Sequence, residues 1–232
     1  MEPLYAILAG LIPSLVWLIF WTREDSHPEP KWLIGACFLG GVLAVVCAIT
    51  GEKIAATLIA DEKMRYIVWS ALEEIFKFTA VLAIALGTRN NDEPIDAMMY
   101  CITVALGFAA LENTLFVMRQ IGNGSSLLDG LNTGNLRFIG PTLLHTVSSA
   151  LIGFSYGYVF FHSKFLKFFA ILIGLAEAVA VHATFNLSIL NANPDDTLKS
   201  FAWVWFAVVI LIVLFEEIKV VRPVVPVPHH HK

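Results

Sequence analysis

The chain has 232 residues, of which 57% are hydrophobic and 15% charged, and its formal net charge is −4. Soluble domains contain about 45–50% apolar and about 25% charged residues, so this composition predicts a polytopic membrane protein. The acidic balance offers no basic patch to phosphates, which argues against nucleic acid as a partner. The cysteines, Cys37, Cys47 and Cys101, lack CxxC spacing, so neither a disulfide framework nor a zinc knuckle is indicated.

Seven apolar runs are long enough to cross a bilayer, because a span needs about 20 mostly apolar residues. In chain order they are Pro3–Trp21, Trp32–Thr50, Arg65–Leu86, Ile95–Met118, Pro141–Phe161, Phe165–Leu190 and Leu198–Phe215. The sequence therefore predicts an all-α transmembrane bundle of about seven spans, formed by one domain over residues 1–222. No soluble domain is indicated, so any active site must be built from the spans themselves.

Three boundaries need a separate interpretation. Glu52–Asp61 is compatible with a short interfacial helix after the second span. Pro141 is interpreted as the first residue of the fifth span, where its missing N–H costs nothing, and a kinked helix beginning at Leu136 is the alternative. Residues 223–232 end in three histidines, and we interpret this tail as the remnant of an expression tag without a role in function.

Ionisable side chains lie inside four neighbouring spans, where each costs about 3 kcal/mol or more. They are Glu73, Glu74, Lys77, Glu112, His145 and His182. Because successive spans run in opposite directions, all six are displaced toward the same membrane face. At a rise of about 1.5 Å per residue they lie about 6–14 Å below it. This agreement predicts one intramembrane site between spans three to six.

The spacing within these spans suggests roles. Glu73 and Lys77 are four residues apart and are predicted to pair on one helix face, whether as a structural link or as part of the site. Glu74 then remains an unpaired buried carboxylate, which is suited to act as a general base. Two imidazoles and one carboxylate also form a known catalytic zinc set. Asn186, one turn after His182, is suited to donate to an oxyanion.

Four short motifs carry a family resemblance across Glu73–Asn186. They are Glu73-Glu74-Ile75-Phe76-Lys77 (EExxK), Phe108-Ala-Ala-Leu-Glu112-Asn113 (FxxxEN), Arg137 with His145, and His182-Ala-Thr-Phe-Asn186 (HxxxN). In this order and spacing the chain resembles the PrsW family of intramembrane proteases, within the wider clan of CAAX prenyl endopeptidases and Abi proteins. The resemblance implies a helical membrane protease that cleaves a membrane-anchored protein, in some members an anti-sigma factor. The family is classed as metalloproteases, whereas its CAAX relatives are described as glutamate-dependent.

Together these features predict an intramembrane endopeptidase with motif core 65–190. Glu74 is the expected base, with Glu73 as its partner or alternative, and zinc is expected on Glu112, His145 and His182. Without a metal, His145 or Glu112 would orient the water, and His182 with Asn186 would stabilise the oxyanion. Glu177, on a different face of its helix from His182, is interpreted as a structural or supporting residue.

A proton-coupled transporter or ion channel is the alternative, because proton relays use similar buried carboxylates and histidines. Against it, the sequence has no internal inverted repeat. The orientation is weakly indicated, since Lys and Arg nearly balance on the two sides. The low-charge loop Gly122–Arg137 and the basic turn Lys164–Lys167 favour an N-terminus outside and a C-terminus inside, in a prokaryotic plasma membrane, with a site that opens to the extracytoplasmic half.

Overall fold

The computed structural model describes residues 2–124, 140–190 and 194–223, and these form seven α-helices without a strand. The helices are α1 (Glu2–Glu24), α2 (Lys31–Leu58), α3 (Glu62–Val81), α4 (Asp96–Gly122), α5 (Pro141–Tyr158), α6 (Lys164–Leu190) and α7 (Pro194–Lys219). A π-helical turn, Leu82–Leu86, continues α3. The predicted all-α helical bundle is confirmed. Arg137 and the tail 224–232 lie outside the described residues.

Five of the described helices, α1, α2, α4, α6 and α7, are long and apolar enough to cross a membrane. The other two predicted spans correspond to α3 and α5. Charged residues interrupt α3, and α5 has only 18 residues, several of them Ser, Thr or His. The two helices that fall short are therefore the ones whose side chains carry most of the candidate site.

Two of the boundary predictions can be compared with the helices. The fifth helix begins at Pro141, which confirms that Pro141 is its first residue. The separate interfacial helix at Glu52–Asp61 is wrong, because α2 continues without a break to Leu58. Asp61 instead caps α3, and its carboxylate accepts a hydrogen bond from the Met64 N–H at 2.7 Å. The longer α2 brings Glu52 alongside α3, where the Trp69 indole N–H donates to the Glu52 carbonyl at 3.1 Å.

The central helix of the bundle is α4, which packs against α1, α2, α3 and α5. Its crossing with α2 is close because it is built on glycine. A Cβ at Gly41 would collide with the Val104 carbonyl, and a Cβ at Gly107 would collide with the Phe38 carbonyl. Small residues of this kind let membrane helices approach each other through their backbones.

Contacts between helix ends define two faces of the bundle. Asn113 in the C-terminal half of α4 bonds Thr142 at the start of α5, and Asn186 near the end of α6 bonds Ser70 in the first half of α3. We call the membrane face nearest these contacts the site face. At the opposite face, the Tyr100 hydroxyl lies 2.5 Å from Glu29 Oε2. Burial, as the largest cause, raises the pKa of the Glu29 carboxyl there.

Candidate active site

Glu74 is the centre of a buried polar cluster that joins α3, α5 and α6. Its Oε1 accepts hydrogen bonds from Lys77 Nζ at 2.6 Å, from Ser148 Oγ at 2.8 Å and from His182 Nδ1 at 2.7 Å. Its Oε2 accepts from Ser149 Oγ at 2.9 Å. The Glu74 and Lys77 side chains are both 0% exposed. Both oxygens of Glu74 thus have hydrogen-bond partners among the described residues.

This arrangement corrects the predicted pairing of Lys77. The ammonium pairs with Glu74, three residues earlier, and not with Glu73, four residues earlier. On an isolated helix both spacings bring side chains together, so the sequence alone does not choose between them. The choice is made by α5 and α6, whose Ser148, Ser149 and His182 gather around Glu74. Glu74 is therefore not the free carboxylate that was predicted.

Glu73 has the unpaired oxygen instead. Its Oε2 is buried and forms no hydrogen bond with the described part of the chain. It lies 3.8 Å from His145 Nδ1 and 3.7 Å from His182 Nε2. One ligand atom each from Glu73, His145 and His182 lies within 4.8 Å of the others. Buried polar atoms are nearly always satisfied, so an orphaned carboxylate oxygen marks the place of a water, a metal or a substrate group.

The hydrogen bonds of the two histidines indicate their tautomers. His182 donates from Nδ1 to the Glu74 carboxylate, which leaves Nε2 with a free lone pair on the side of Glu73. His145 Nδ1 lies 3.1 Å from the Lys77 ammonium and so accepts. His145 Nε2 then donates to Glu112 Oε2 at 2.7 Å. His182 therefore offers an unused nitrogen, whereas both nitrogens of His145 have partners.

Glu112 occupies a different position from the predicted one. It was expected to be the third ligand, but the group of neighbouring ligand atoms contains Glu73 in its place. Glu112 reaches His145 at Nε2, whereas Glu73 lies nearer to Nδ1. The Phe108 ring packs on the His145 ring, with 5.2 Å between the ring centroids, and restricts its rotation. Glu112 thus orients His145 in this arrangement.

Of the remaining residues around the site, Asn186 was predicted from the sequence, whereas Ser148, Ser149 and Glu52 were not. Asn186 donates from Nδ2 to Ser70 Oγ at 3.1 Å, and its role toward an oxyanion stays a prediction. Ser148 and Ser149 bond Glu74, and their spacing of three and four residues from His145, which places them on its helix face, is the signal by which the sequence could have identified them. Glu52 lies in the C-terminal part of α2, which was not predicted to continue the second span. Its carboxyl group interacts with those of Glu73 and Glu112.

Comparison with known proteins identifies the family. The profile described as "PrsW family intramembrane metalloprotease" matches residues 29–215. The chain belongs to the PrsW family. The relative from Geobacillus kaustophilus, named Protease PrsW, is 29% identical over 170 residues, which cover 70% of each chain. The Protease PrsW of Oceanobacillus iheyensis is 26% identical over 165 residues, covering 68% of this chain and 71% of the relative. The Protease PrsW of Bacillus subtilis is 22% identical over 220 residues, covering 91% and 92%. No solved structure matches the chain.

Membership of the PrsW family identifies the chain as an intramembrane protease, and the family description includes a metal. Glu73, His145 and His182 fit such an ion, because a Glu and two His form a known catalytic zinc set with one open position. Glu74 holds His182 by the ring nitrogen opposite Nε2, as carboxylates behind metal-binding histidines commonly do. Binding to all three residues requires that Lys77 release His145 and that the three ligand atoms move closer together, while the ion pair of Lys77 with Glu74 can persist.

Proposed function

We propose that this protein is an endopeptidase that hydrolyses a peptide bond of a membrane-anchored protein, with Glu73 as the general base. The observation that carries this proposal is the buried, unpaired Glu73 Oε2 between His145 and His182. A water molecule held there is within reach of a carboxylate oxygen that forms no hydrogen bond with the described residues. The reversal of the predicted Glu73 and Glu74 roles follows from the same contacts.

The surrounding residues support the reaction in distinct ways. Glu73 takes a proton from water as the water attacks the scissile carbonyl carbon, and it returns that proton to the leaving amine when the C–N bond breaks. His182 accepts a hydrogen bond at Nε2 and orients the water, while Glu74 fixes the ring from behind. Asn186 donates to the oxyanion of the tetrahedral intermediate after it exchanges its contact with Ser70.

The direct test uses purified protein reconstituted in liposomes with single-span membrane proteins, anti-sigma factors among them, since these are the substrate class that we propose. Cleavage in water enriched in oxygen-18 is expected to give two fragments, with the label in the new carboxyl terminus. If the folded protein leaves every substrate of such a panel intact, the result contradicts proteolysis. The transporter or channel would then be the preferred function.

As the alternative to a metal-free site, we propose zinc, held by Glu73, His145 and His182, in which case Glu73 and His182 would be ligands and Glu73 would not act as the base. Bound there, zinc would lower the pKa of a water to about 7 and polarise the scissile carbonyl. We expect about one zinc ion per chain in the purified protein, because three ligands with an open position are usual for catalytic zinc. Elemental analysis of purified variants is the measurement, and it does not depend on activity.

Variants of Glu73 and Glu112 show which of these two carboxylates is the third zinc ligand beside His145 and His182. Glu73→Gln and His182→Ala are expected to lower the zinc content, whereas Glu112→Gln, the matched control, is expected to retain it. Loss of zinc in Glu112→Gln would restore Glu112 as the ligand. Full activity in metal-free protein would assign water activation to Glu73 without a metal, the mechanism described for the CAAX relatives.

We also propose that the site face is extracytoplasmic, with the N-terminus outside and the C-terminus inside a prokaryotic plasma membrane. We expect Asn123→Cys, at the site-face end of α4, to react with a membrane-impermeant maleimide added to intact cells. His162→Cys, in the exposed turn between α5 and α6, is expected to react only after permeabilisation. Cys47 is exposed and Cys37 and Cys101 are buried, so all three are replaced beforehand. The reverse pattern of labelling would invert the proposed orientation.

A further inference from the structure

Glu177 is the middle residue of the 27 in α6, about 20 Å from either end of the helix. Its side chain is exposed on the outside of the bundle, where the surrounding residues of α6 are apolar. A carboxylate at this depth faces lipid. Such residues are rare in membrane proteins, and they almost always pair with another group or line a water-filled cavity.

No such partner is present within the part of the chain that the structure describes, in which Glu177 has no hydrogen bond or ion pair. The basic residues of its own helix are too far away. Lys164 begins α6, and Lys167 turns its ammonium toward aromatic rings of α5 and the turn after it, 5.2 Å from the Tyr156 centroid and 4.6 Å from the Phe160 centroid. A pairing group for the Glu177 carboxylate would therefore have to come from another molecule.

A groove of about 570 Å³ lies on the outer surface between α3 and α6. Glu177 is not one of its lining residues, but it is exposed, follows Ala176 and precedes Ala180 by three residues, and both alanines line the groove. Its lining includes Ile67 and Ile75 from α3, and Ala176, Ala180 and Thr184 from α6. Those three α6 residues are small and recur at every turn, so a helix backbone can approach closely there. We call Ala176, Glu177, Ala180 and Thr184 the docking face.

The two walls of the groove are the helices that carry the catalytic groups. Ile75 is two residues from Glu73 on α3, and Ala183, which also lines the groove, follows His182 on α6. A helix packed in the groove lies about 8–10 Å from the axes of α3 and α6, beside the wall that separates lipid from the site. The occupant of this groove is therefore adjacent to the place of hydrolysis.

We propose that the docking face binds the transmembrane helix of the substrate, and that this helix carries a Lys or Arg at mid-membrane depth that pairs with Glu177. This inference rests on the proposed protease function and adds a rule for the choice of substrate. Because Glu177 is acidic, charge complementarity favours a helix that carries a basic residue over an entirely apolar helix. A second copy of the chain fits less well, since a two-fold contact on this face brings one Glu177 against the other.

The position of Glu177 along α6 adds a constraint on the substrate. It lies five residues from His182, about 7.5 Å along the helix axis, in the direction away from the site face. The basic residue of a helical substrate is therefore expected about five residues deeper in the membrane than the bond that is cut.

The test measures binding rather than cleavage. The protein carrying Glu73→Gln, which is expected to slow hydrolysis strongly, is placed in phosphatidylcholine vesicles with synthetic 24-residue Leu/Ala helices whose central residue is Lys, Leu or Glu. Energy transfer between labelled protein and labelled peptide gives the affinity. We expect the Lys peptide to bind at least ten times more tightly than the Leu peptide, and the Glu peptide to bind no better than the Leu peptide.

Three variants make the result specific. Glu177→Leu and Glu177→Gln are expected to remove the preference for Lys, and Glu217→Leu, which removes an exposed carboxylate at the end of α7, is the matched control that keeps it. Equal binding of all three peptides, or an unchanged preference in both Glu177 variants, overturns the proposal. Energy transfer between two labelled copies of the protein that depends on Glu177, without peptide binding, also overturns it in favour of self-association.

These outcomes are separable from those of the proposed function. If the protein proves not to hydrolyse peptide bonds, its preference among the three peptides can still be measured, because the binding experiment requires no hydrolysis. Conversely, a protein that cleaves single-span substrates without regard to Glu177 remains a protease and loses only the docking rule.

Discussion

Glu73→Gln is expected to lower the rate of peptide-bond hydrolysis by about 10²–10⁴-fold, the usual contribution of a general base. The amide keeps the volume of the carboxylate and removes its ability to take a proton. Since Glu73 Oε2 has no hydrogen bond in the described chain, the substitution breaks no bond to that atom, and the melting temperature, compared between metal-free proteins, is expected to stay unchanged or rise. Single-turnover cleavage of a liposome-bound substrate and thermal unfolding in detergent give the two readouts.

Glu62→Gln, at the exposed start of the same helix, is the matched control, and we expect it to leave hydrolysis unchanged. Near-wild-type cleavage by Glu73→Gln would remove Glu73 as the base. Lost activity with a large fall in melting temperature would instead identify Glu73 as a structural residue.

Glu74→Gln is expected to affect stability as well as activity, because it removes the counterion of a fully buried ammonium. Breaking one side of a buried ion pair typically costs about 3–5 kcal/mol. Lys77 would lose its 2.6 Å partner, and His182 would lose the acceptor that fixes its tautomer. We therefore expect a marked fall in the unfolding free energy together with loss of cleavage, measured on the same preparations.

The double variant Glu74→Gln with Lys77→Met separates the two effects. It removes the stranded charge, so much of the lost stability is expected to return, whereas His182 still lacks its carboxylate and activity stays low. With the single variant Lys77→Met as the third member, the non-additivity of the stability changes measures the coupling between Glu74 and Lys77. Wild-type stability in the single variant Glu74→Gln would contradict the ion pair.

The sequence was sufficient for the architecture because the apolar runs are long and the helix starts are marked. The start of α5 at Pro141 is an example. The end of α2 was not predicted, since Gly51 and Glu52 resemble a break in hydropathy and yet leave the helical hydrogen bonds intact. Hydropathy measures the preference for lipid, whereas helix continuity depends on the backbone and on the packing of Gly51 against Leu72.

The candidate site was predicted as a set of residues more accurately than as a set of roles. Depth selected six residues, and the structure brings all of them together: Glu73, Glu74, Lys77, Glu112, His145 and His182. Which carboxylate pairs with Lys77 depends on donors from two other helices, Ser148 and Ser149 on α5 and His182 on α6. Such a choice is made by tertiary contacts, and no pattern within one helix contains it.

The low hydrophobicity of α3 and α5 has a consequence for how the enzyme is made. Insertion into a bilayer depends on how apolar a segment is, and buried charge lowers it. These two helices are therefore expected to need their apolar neighbours during synthesis, α3 as a hairpin with α2 and α5 together with α4. Because His182 arrives later still, on α6, the nascent chain has no complete active site until six helices have entered the membrane. Substitutions that ease insertion by making α3 or α5 more apolar would remove the residues that hydrolysis requires.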